Sequence, residues 1–181
     1  MRLIASSLER STPGLLAALP PPDWSILAAG AVVFGVQRLV PDFDPTWYQQ
    51  LKKPDWTPPD WVFPTVWIPL KIAQSYALWV VCKKARSRED LMLPLSLFGT
   101  HLFLGNWWNV VFFGRHQLRP SLKWMAAFWA SIAGTAAAFY PIHPLAGVLM
   151  VPTLIWSTIA AKLNYDIVKL NDTSASPKEA K

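Results

Sequence analysis

Five long apolar runs constrain this chain more than any other feature. The first, residues 24–40, reads WSILAAGAVVFGVQRLV, and the others occupy residues 64–82, 91–114, 120–140 and 145–170. Each is close to the roughly 20 residues that carry a helix across the hydrocarbon of a bilayer. Mean hydropathy stays at +0.24 in spite of 17 prolines, and only 15% of residues are charged, so the apolar side chains are concentrated in the runs. The expected fold is an all-α integral membrane protein: a bundle of five transmembrane helices spanning residues 23–170. Residues 1–22 read as a disordered or interfacial extension, with a weak organelle-targeting alternative, and residues 171–181 as a disordered tail without apolar periodicity.

Polar residues inside the runs need an explanation, because the hydrocarbon offers them no partner. Asp23 is placed to cap the first helix, and Arg38 near its end can snorkel to headgroups. Lys71 and Gln74 interrupt the second run, so Lys71 is expected to face the bundle or its mouth unless it snorkels. His101, Asn106 and Asn109 make the third run the most polar, and His101 is a weak candidate for a haem ligand. A single histidine in a bilayer more often hydrogen-bonds a neighbouring helix. Ala28, Ala29, Gly30, Ala31 and Gly35 in the first run, and SIAGTAAA in the fourth, are small-residue faces expected to pack closely. Pro152 can kink the fifth run.

Between the first two runs lies WYQQLKKPDWTPPDWVFPTVW, residues 47–67, with four of the chain's 11 tryptophans and Pro54, Pro58, Pro59 and Pro64. Proline fixes φ, removes a donor and pushes the preceding residue towards extended backbone, so this stretch is expected to be stiff and non-helical. Such a segment gives up little entropy on ordering and suits a lid. Its rings fit either a membrane-interface belt or a flat stacking wall for a ligand.

The balance of 17 Lys+Arg against 11 Asp+Glu gives a net charge of +6, but the basic residues sit between apolar runs without a nucleic-acid motif. Anionic headgroups are the expected counter-charge, and no nucleic acid is expected as partner. Cys82 is the only cysteine, which excludes an intrachain disulfide and a multi-cysteine metal site. Neither paired carboxylates in the runs, nor a Gly-rich phosphate loop, nor zinc spacing is present, so hydrolytic and phosphoryl-transfer chemistry has no residues to use. Basic residues are nearly balanced across the two sides that five spans define, so orientation is left open.

The pattern WY-x-x-L-x-K-P-x-W-x-P-P-x-W over residues 47–61 is specific. With it come Val66-Trp67, Phe112-Phe113-Gly114, Pro144-Leu145-Ala146, Pro152, Trp156 and Leu163-Asn164-Tyr165, in order. On these residues the chain resembles the translocator protein family, also called tryptophan-rich sensory proteins or peripheral benzodiazepine receptors, over residues 24–171. The resemblance implies a five-helix bundle, often dimeric, that needs no cofactor and binds porphyrins, haem and sterols, with roles in their transport and in stress responses. It implies a cavity lined by Val36, Val40, Phe63, Val66, Trp67, Trp156, Ala160 and Leu163, with Arg38 matching a family arginine. Trp47, Trp56 and Trp61 join Trp67 and Trp156 as ring surface, and Lys52, Lys53 or Arg38 are placed to meet propionates. Leu163, Tyr165 and Lys169 fit the proposed cholesterol pattern L-x-Y-x-x-x-K, which a helix end with an interfacial Tyr and Lys would also produce.

Three positions depart from the family. Leu104-Gly105-Asn106 stands where many relatives have Leu-Asn-Trp, Lys71 replaces a tyrosine, and Pro120 stands where animal relatives place a ligand-contacting tryptophan. Two further readings stay open beside the non-enzymatic tetrapyrrole binder. One is a light- and oxygen-dependent enzyme degrading protoporphyrin IX, for which Trp67 and Trp156 match the tryptophans assigned in bacterial relatives; the other is an interaction scaffold using the small-residue faces. HLFLGNWWNVVFF resembles plant and algal members, which implies a multi-pass protein of a eukaryotic internal membrane, secretory or mitochondrial outer.

Overall fold

The computed structural model describes residues 21–39 and 44–172, and among these every regular element is helical. The order is α1 (Ser25–Gly35), a 3₁₀ segment (Val36–Leu39), α2 (Pro45–Gln50), α3 (Val62–Lys84), α4 (Glu89–Asn109), a π-helical segment (Val110–Gly114), α5 (Leu118–Phe139) and α6 (Pro144–Asn171). The expected disorder of the chain ends falls mostly outside the described residues. Asn171, expected to open the tail, instead closes α6.

Helix boundaries follow local chemistry. Asp23 accepts from the Ser25 backbone at 3.0 Å and its carboxylate lies 2.6 Å from the Lys83 ammonium, tying the start of α1 to the end of α3. The Lys83 charge and the Ser25 hydroxyl hold the Asp23 carboxyl well below the usual carboxylate range. The stretch expected to be non-helical contains helix at both ends. Asp44 caps α2 by accepting from the Trp47 backbone at 3.0 Å, with Pro45 in the first turn, and Pro64 lies in the first turn of α3. The first turn of a helix lacks acceptors for its N–H groups, so a proline there sacrifices nothing.

The packing order runs α1 against α3, α3 against α6, α6 against α5 and α5 against α4, and the 3₁₀ segment closes the ring against α4. The ring is apolar outside. On α6, Val148, Val151, Ile155 and Ile159 are exposed, and on α3 so are Ile68 and Ile72. Polar groups lie within: Gln74, Ser121, Thr135, Thr153, Ser157 and Asn164 are buried. Thr135 and Ser157 donate to carbonyls of their own helices at 2.7 and 2.9 Å, and Gln74 donates to Thr153 across the α3–α6 contact at 3.0 Å. Apolar side chains facing outward over satisfied polar ones reverse the pattern of a water-soluble bundle and suit a lipid solvent. Helices α3 and α6 are each long and apolar enough to cross a membrane.

Close helix approach falls on the small-residue face of the fourth run and not on the glycines of the first. A Cβ on Gly30 or Gly35 would meet nothing within 4 Å, and one on Gly134 would make only ordinary contact with Leu97. At Gly147 a Cβ would fall 2.9 Å from the Ala136 carbonyl and 2.8 Å from Tyr140, so α5 and α6 meet there at backbone distance.

Candidate functional site

Residues 44–61 fold over one end of the ring and are clasped to the end of α6. The Lys52 backbone donates to Asn171 at 2.9 Å, and the Asn171 amide donates back to the Lys52 carbonyl at 2.8 Å. Trp56 Nε1 donates to the Asp166 carboxylate at 3.1 Å; Lys162 pairs with that carboxylate and sits 5.5 Å from the Trp56 ring centroid. On the far side Trp47 stacks on His116 at 4.1 Å, where φ of 55° marks the turn out of the π segment. Proline-stiffened backbone and two pairs of anchors make this segment a lid with a fixed seat.

Under the lid is a cavity of about 310 Å³ lined by Tyr48, Asp60, Phe63, Pro64, Trp67, Trp108, Asn109, Phe112, Phe113, Ala160, Leu163, Asn164 and Ile167. Exposed Asp60 and Pro64 mark its mouth. The wall is largely aromatic. Trp108 stacks on Phe112 at 5.4 Å, and Phe112 meets Phe113 edge-on at 4.8 Å. The π segment makes this arrangement, because its extra residue per turn re-aims the side chains that follow Trp108. Asn164 on α6 holds the wall in place: it accepts from Trp108 Nε1 at 3.0 Å and donates to the Ser121 hydroxyl of α5 at 2.9 Å. Burial pushes the Tyr48 phenol up to about 12, with the Asp60 carboxylate adding to the effect.

Deeper in the ring is a second chamber of about 180 Å³, lined by Gln37, Trp67, Lys71, Gln74, His101, Leu102, Gly105, Trp108, Asn109, Met125 and Phe128. Trp67, Trp108 and Asn109 line both chambers, so the two spaces adjoin at these side chains. The inner walls are polar, and several of their groups are already engaged. Gln37 donates to Asn106 at 2.6 Å, Gln74 to Thr153 at 3.0 Å, and Asn109 to the Gly105 carbonyl at 2.8 Å. His101 stacks on Phe128 at 5.8 Å and meets Phe98 edge-on at 5.2 Å. A Cβ on Gly105 would fall 2.8 Å from the Phe128 ring, so the glycine at this departure from the family makes room for that ring.

Of the residues expected at the site, Phe63, Trp67, Ala160 and Leu163 line the outer chamber. Trp156 stands behind them, edge-on to Phe63 at 6.0 Å and to Trp67 at 6.5 Å. Val36 packs against the central core and Val66 is half-buried outside both linings. Val40 and the Arg38 side chain lie outside the described residues. Trp47 and Trp56 serve as anchors of the lid, and Trp61 is exposed. Lys53 sits over the Tyr48 ring at 4.4 Å and Lys52 is exposed, so neither lines a chamber. Leu163 is buried while Tyr165 and Lys169 are exposed, which splits the L-x-Y-x-x-x-K pattern across two faces of α6. His101 opens on the inner chamber, and none of the outer lining is histidine. Tyr48, Trp108, Phe112, Phe113 and Asn164 were not singled out as lining residues from sequence. Their only signal was membership of motifs, since the π segment that aims the two phenylalanines has no sequence mark.

An all-helical ring with an apolar exterior, hydrogen-bonded polar side chains within its core and an aromatic cavity under a clasped lid defines a membrane-embedded helical bundle. Residues 25–170 match the TspO/MBR family model, and the chain belongs to that family. It is 35% identical over 154 residues to a tryptophan-rich sensory protein of Cereibacter sphaeroides, covering 82% of this chain and 93% of that one. It is also 35% identical to Protein CrtK of Rhodobacter capsulatus, covering 69% of this chain and 78% of the relative. The translocator protein of Sus scrofa is 36% identical, covering 69% of this chain and 75% of its own.

Proposed function

We propose that this protein is a five-span membrane carrier or sensor that takes a tetrapyrrole into the outer chamber beneath the lid, with sterols as secondary ligands. The observation carrying this reading is the aromatic cavity of about 310 Å³ closed by a stiff lid anchored to α6 at Asp166 and Asn171. Flat ring walls favour a flat conjugated ligand, and the mouth at Asp60 and Pro64 leaves room for one edge of a macrocycle to stay outside. Haemin and metal-free protoporphyrin IX would be held alike, because the outer lining has no imidazole for an axial bond. The relatives' names, translocator and sensory protein, support carrier and sensor alike, and a homodimer in a eukaryotic internal membrane belongs to the same proposal.

A second reading rests on the contact of Trp67 with Trp156, which puts an indole pair at the chamber wall. Such a pair would suit a relay in light-driven oxidation of a bound porphyrin by oxygen. One experiment tests both: titrate the protein in lipid nanodiscs with protoporphyrin IX and haemin, following tryptophan quenching in the dark and absorbance under light. Saturable quenching of similar affinity for both, with a stable Soret band, is the result expected of a carrier. Band loss that depends on the protein and disappears in Trp67→Phe or Trp156→Phe would make it an enzyme. Absence of saturable quenching by either compound would sink the tetrapyrrole reading.

A further inference from the structure

We infer that the inner chamber is a carboxylate site, in which the Lys71 ammonium binds an acidic arm of the ligand whose ring occupies the outer chamber. The inference rests on the tetrapyrrole reading and adds to it the residue that recognises the acid. Along α3, Phe63, Trp67, Lys71 and Gln74 follow one another at helical spacing on the face lining the chambers, whereas Ile68 and Ile72 point outward. Lys71 therefore faces the interior, about 12 Å along the axis from Phe63 at 1.5 Å per residue. That places the cation one to two turns below the ring wall.

A lysine inside a membrane-embedded ring is costly unless an opposite charge or an acceptor meets it. No neighbour among the described residues supplies a charge. Among the described residues the ion pairs join Lys83 to Asp23, His116 to Asp44, Arg119 to Asp172 and Lys162 to Asp166, and the chamber lining contains no carboxylate. Gln37, Gln74 and Asn109 each place an amide N–H on Asn106, Thr153 and Gly105, and beside them His101 Nδ1 is buried without a hydrogen-bond partner. What the chamber has to offer is a cation, at a volume of about 180 Å³ that suits an acidic side arm and is too small for a macrocycle. A carboxylate is the group that complements it, through a charge-assisted hydrogen bond in a water-poor site. The shared wall of Trp67, Trp108 and Asn109 touches both parts of such a ligand, ring on one side and acid on the other.

The test compares protoporphyrin IX with its dimethyl ester, in nanodiscs of uncharged lipid, on the wild type, Lys71→Met and Lys71→Arg. The wild type should prefer the diacid by about tenfold, Lys71→Met should bring the two compounds within about twofold, and Lys71→Arg should keep the preference. Thermal unfolding and helical circular dichroism show whether Lys71→Met still folds; if it does not, the wild-type preference and Lys71→Arg still decide. Equal wild-type affinity for diacid and ester would overturn the inference and leave the outer-chamber reading standing. A diacid preference that persists in a folded Lys71→Met, or vanishes only in Lys53→Met, would move recognition to the mouth and overturn it as well. If neither compound binds, the tetrapyrrole reading itself falls and takes this inference with it.

Discussion

The outer and inner chambers share three side chains yet are built on opposite principles. The outer one gathers rings from the lid, α3, α4 and the π segment, and among its polar residues Asn164 serves the wall by holding Trp108. The inner one mixes apolar walls with polar side chains whose hydrogen bonds run to Asn106, Thr153 and Gly105, and among the described residues Lys71 has no counter-charge. Shape and ring contact dominate the first chamber, charge the second. Non-directional apolar contact tolerates a range of flat ligands, whereas a desolvated cation discriminates by a single group.

The largest effect that would sharpen this contrast is expected from the shared wall. Trp67→Ala should weaken protoporphyrin IX binding by about 100-fold, since a central indole commonly carries such a share of a ligand's binding energy; near-wild-type affinity by quenching of the remaining tryptophans would break the two-chamber picture. Next comes the brace. Asn164→Ala leaves Trp108 Nε1 without its acceptor and removes the amide that donates to Ser121, whose hydroxyl keeps its bond to the Leu118 carbonyl; the expected cost is about 2 kcal/mol of stability. Thermal unfolding in lipid reads this, and an unchanged midpoint would show that the wall stands without Asn164.

The lid clasp ranks lower. Asp166→Ala removes the acceptor of Trp56 and the partner of Lys162 at an exposed site, so the expected loss of stability is smaller than that of Asn164→Ala. Faster proteolysis within residues 52–60 would report it, with helix content unchanged; equal nicking rates would mean that Asn171 and the Trp47–His116 stack seat the lid without Asp166. Smallest at ordinary pH is the phenol of Tyr48. Its folded pKa is raised to about 12 from the usual value near 10, so its contribution is complete below about pH 10 and is lost as pH rises through 12. Phenolate absorbance should therefore show one tyrosine titrating late, and Tyr48→Phe should remove that step.

Much of the fold was legible because apolar runs near bilayer length leave few alternatives. The run at 64–82 lies inside α3 (Val62–Lys84), and the run at 145–170 lies inside α6 (Pro144–Asn171). The reading of the lid was less complete. Prolines at 45 and 64 sit in first turns, where helices accept them, so stretches that looked irregular are helical. Trp56 and Trp61 were expected to face a ligand, but one is a hydrogen-bond donor of the clasp and the other is exposed. Composition names the rings a loop carries without saying which way a loop turns them.

By itself the sequence determined the membrane class, the family and the existence of a stiff aromatic lid, because these rest on hydropathy over whole helices and on the order of separated motifs. Tertiary structure decided which side chains share a space. A Cβ on Gly30 or Gly35 would meet nothing within 4 Å, while Gly147 takes the close contact against Ala136. Phe112 and Phe113 reach the cavity through a π segment, and Lys71 reaches the inner chamber only because Trp67 and Gln74 turn the same face of α3 inward. Helical periodicity says which residues lie on one face, but only packing against the other helices selects the face that looks inward and what it meets there.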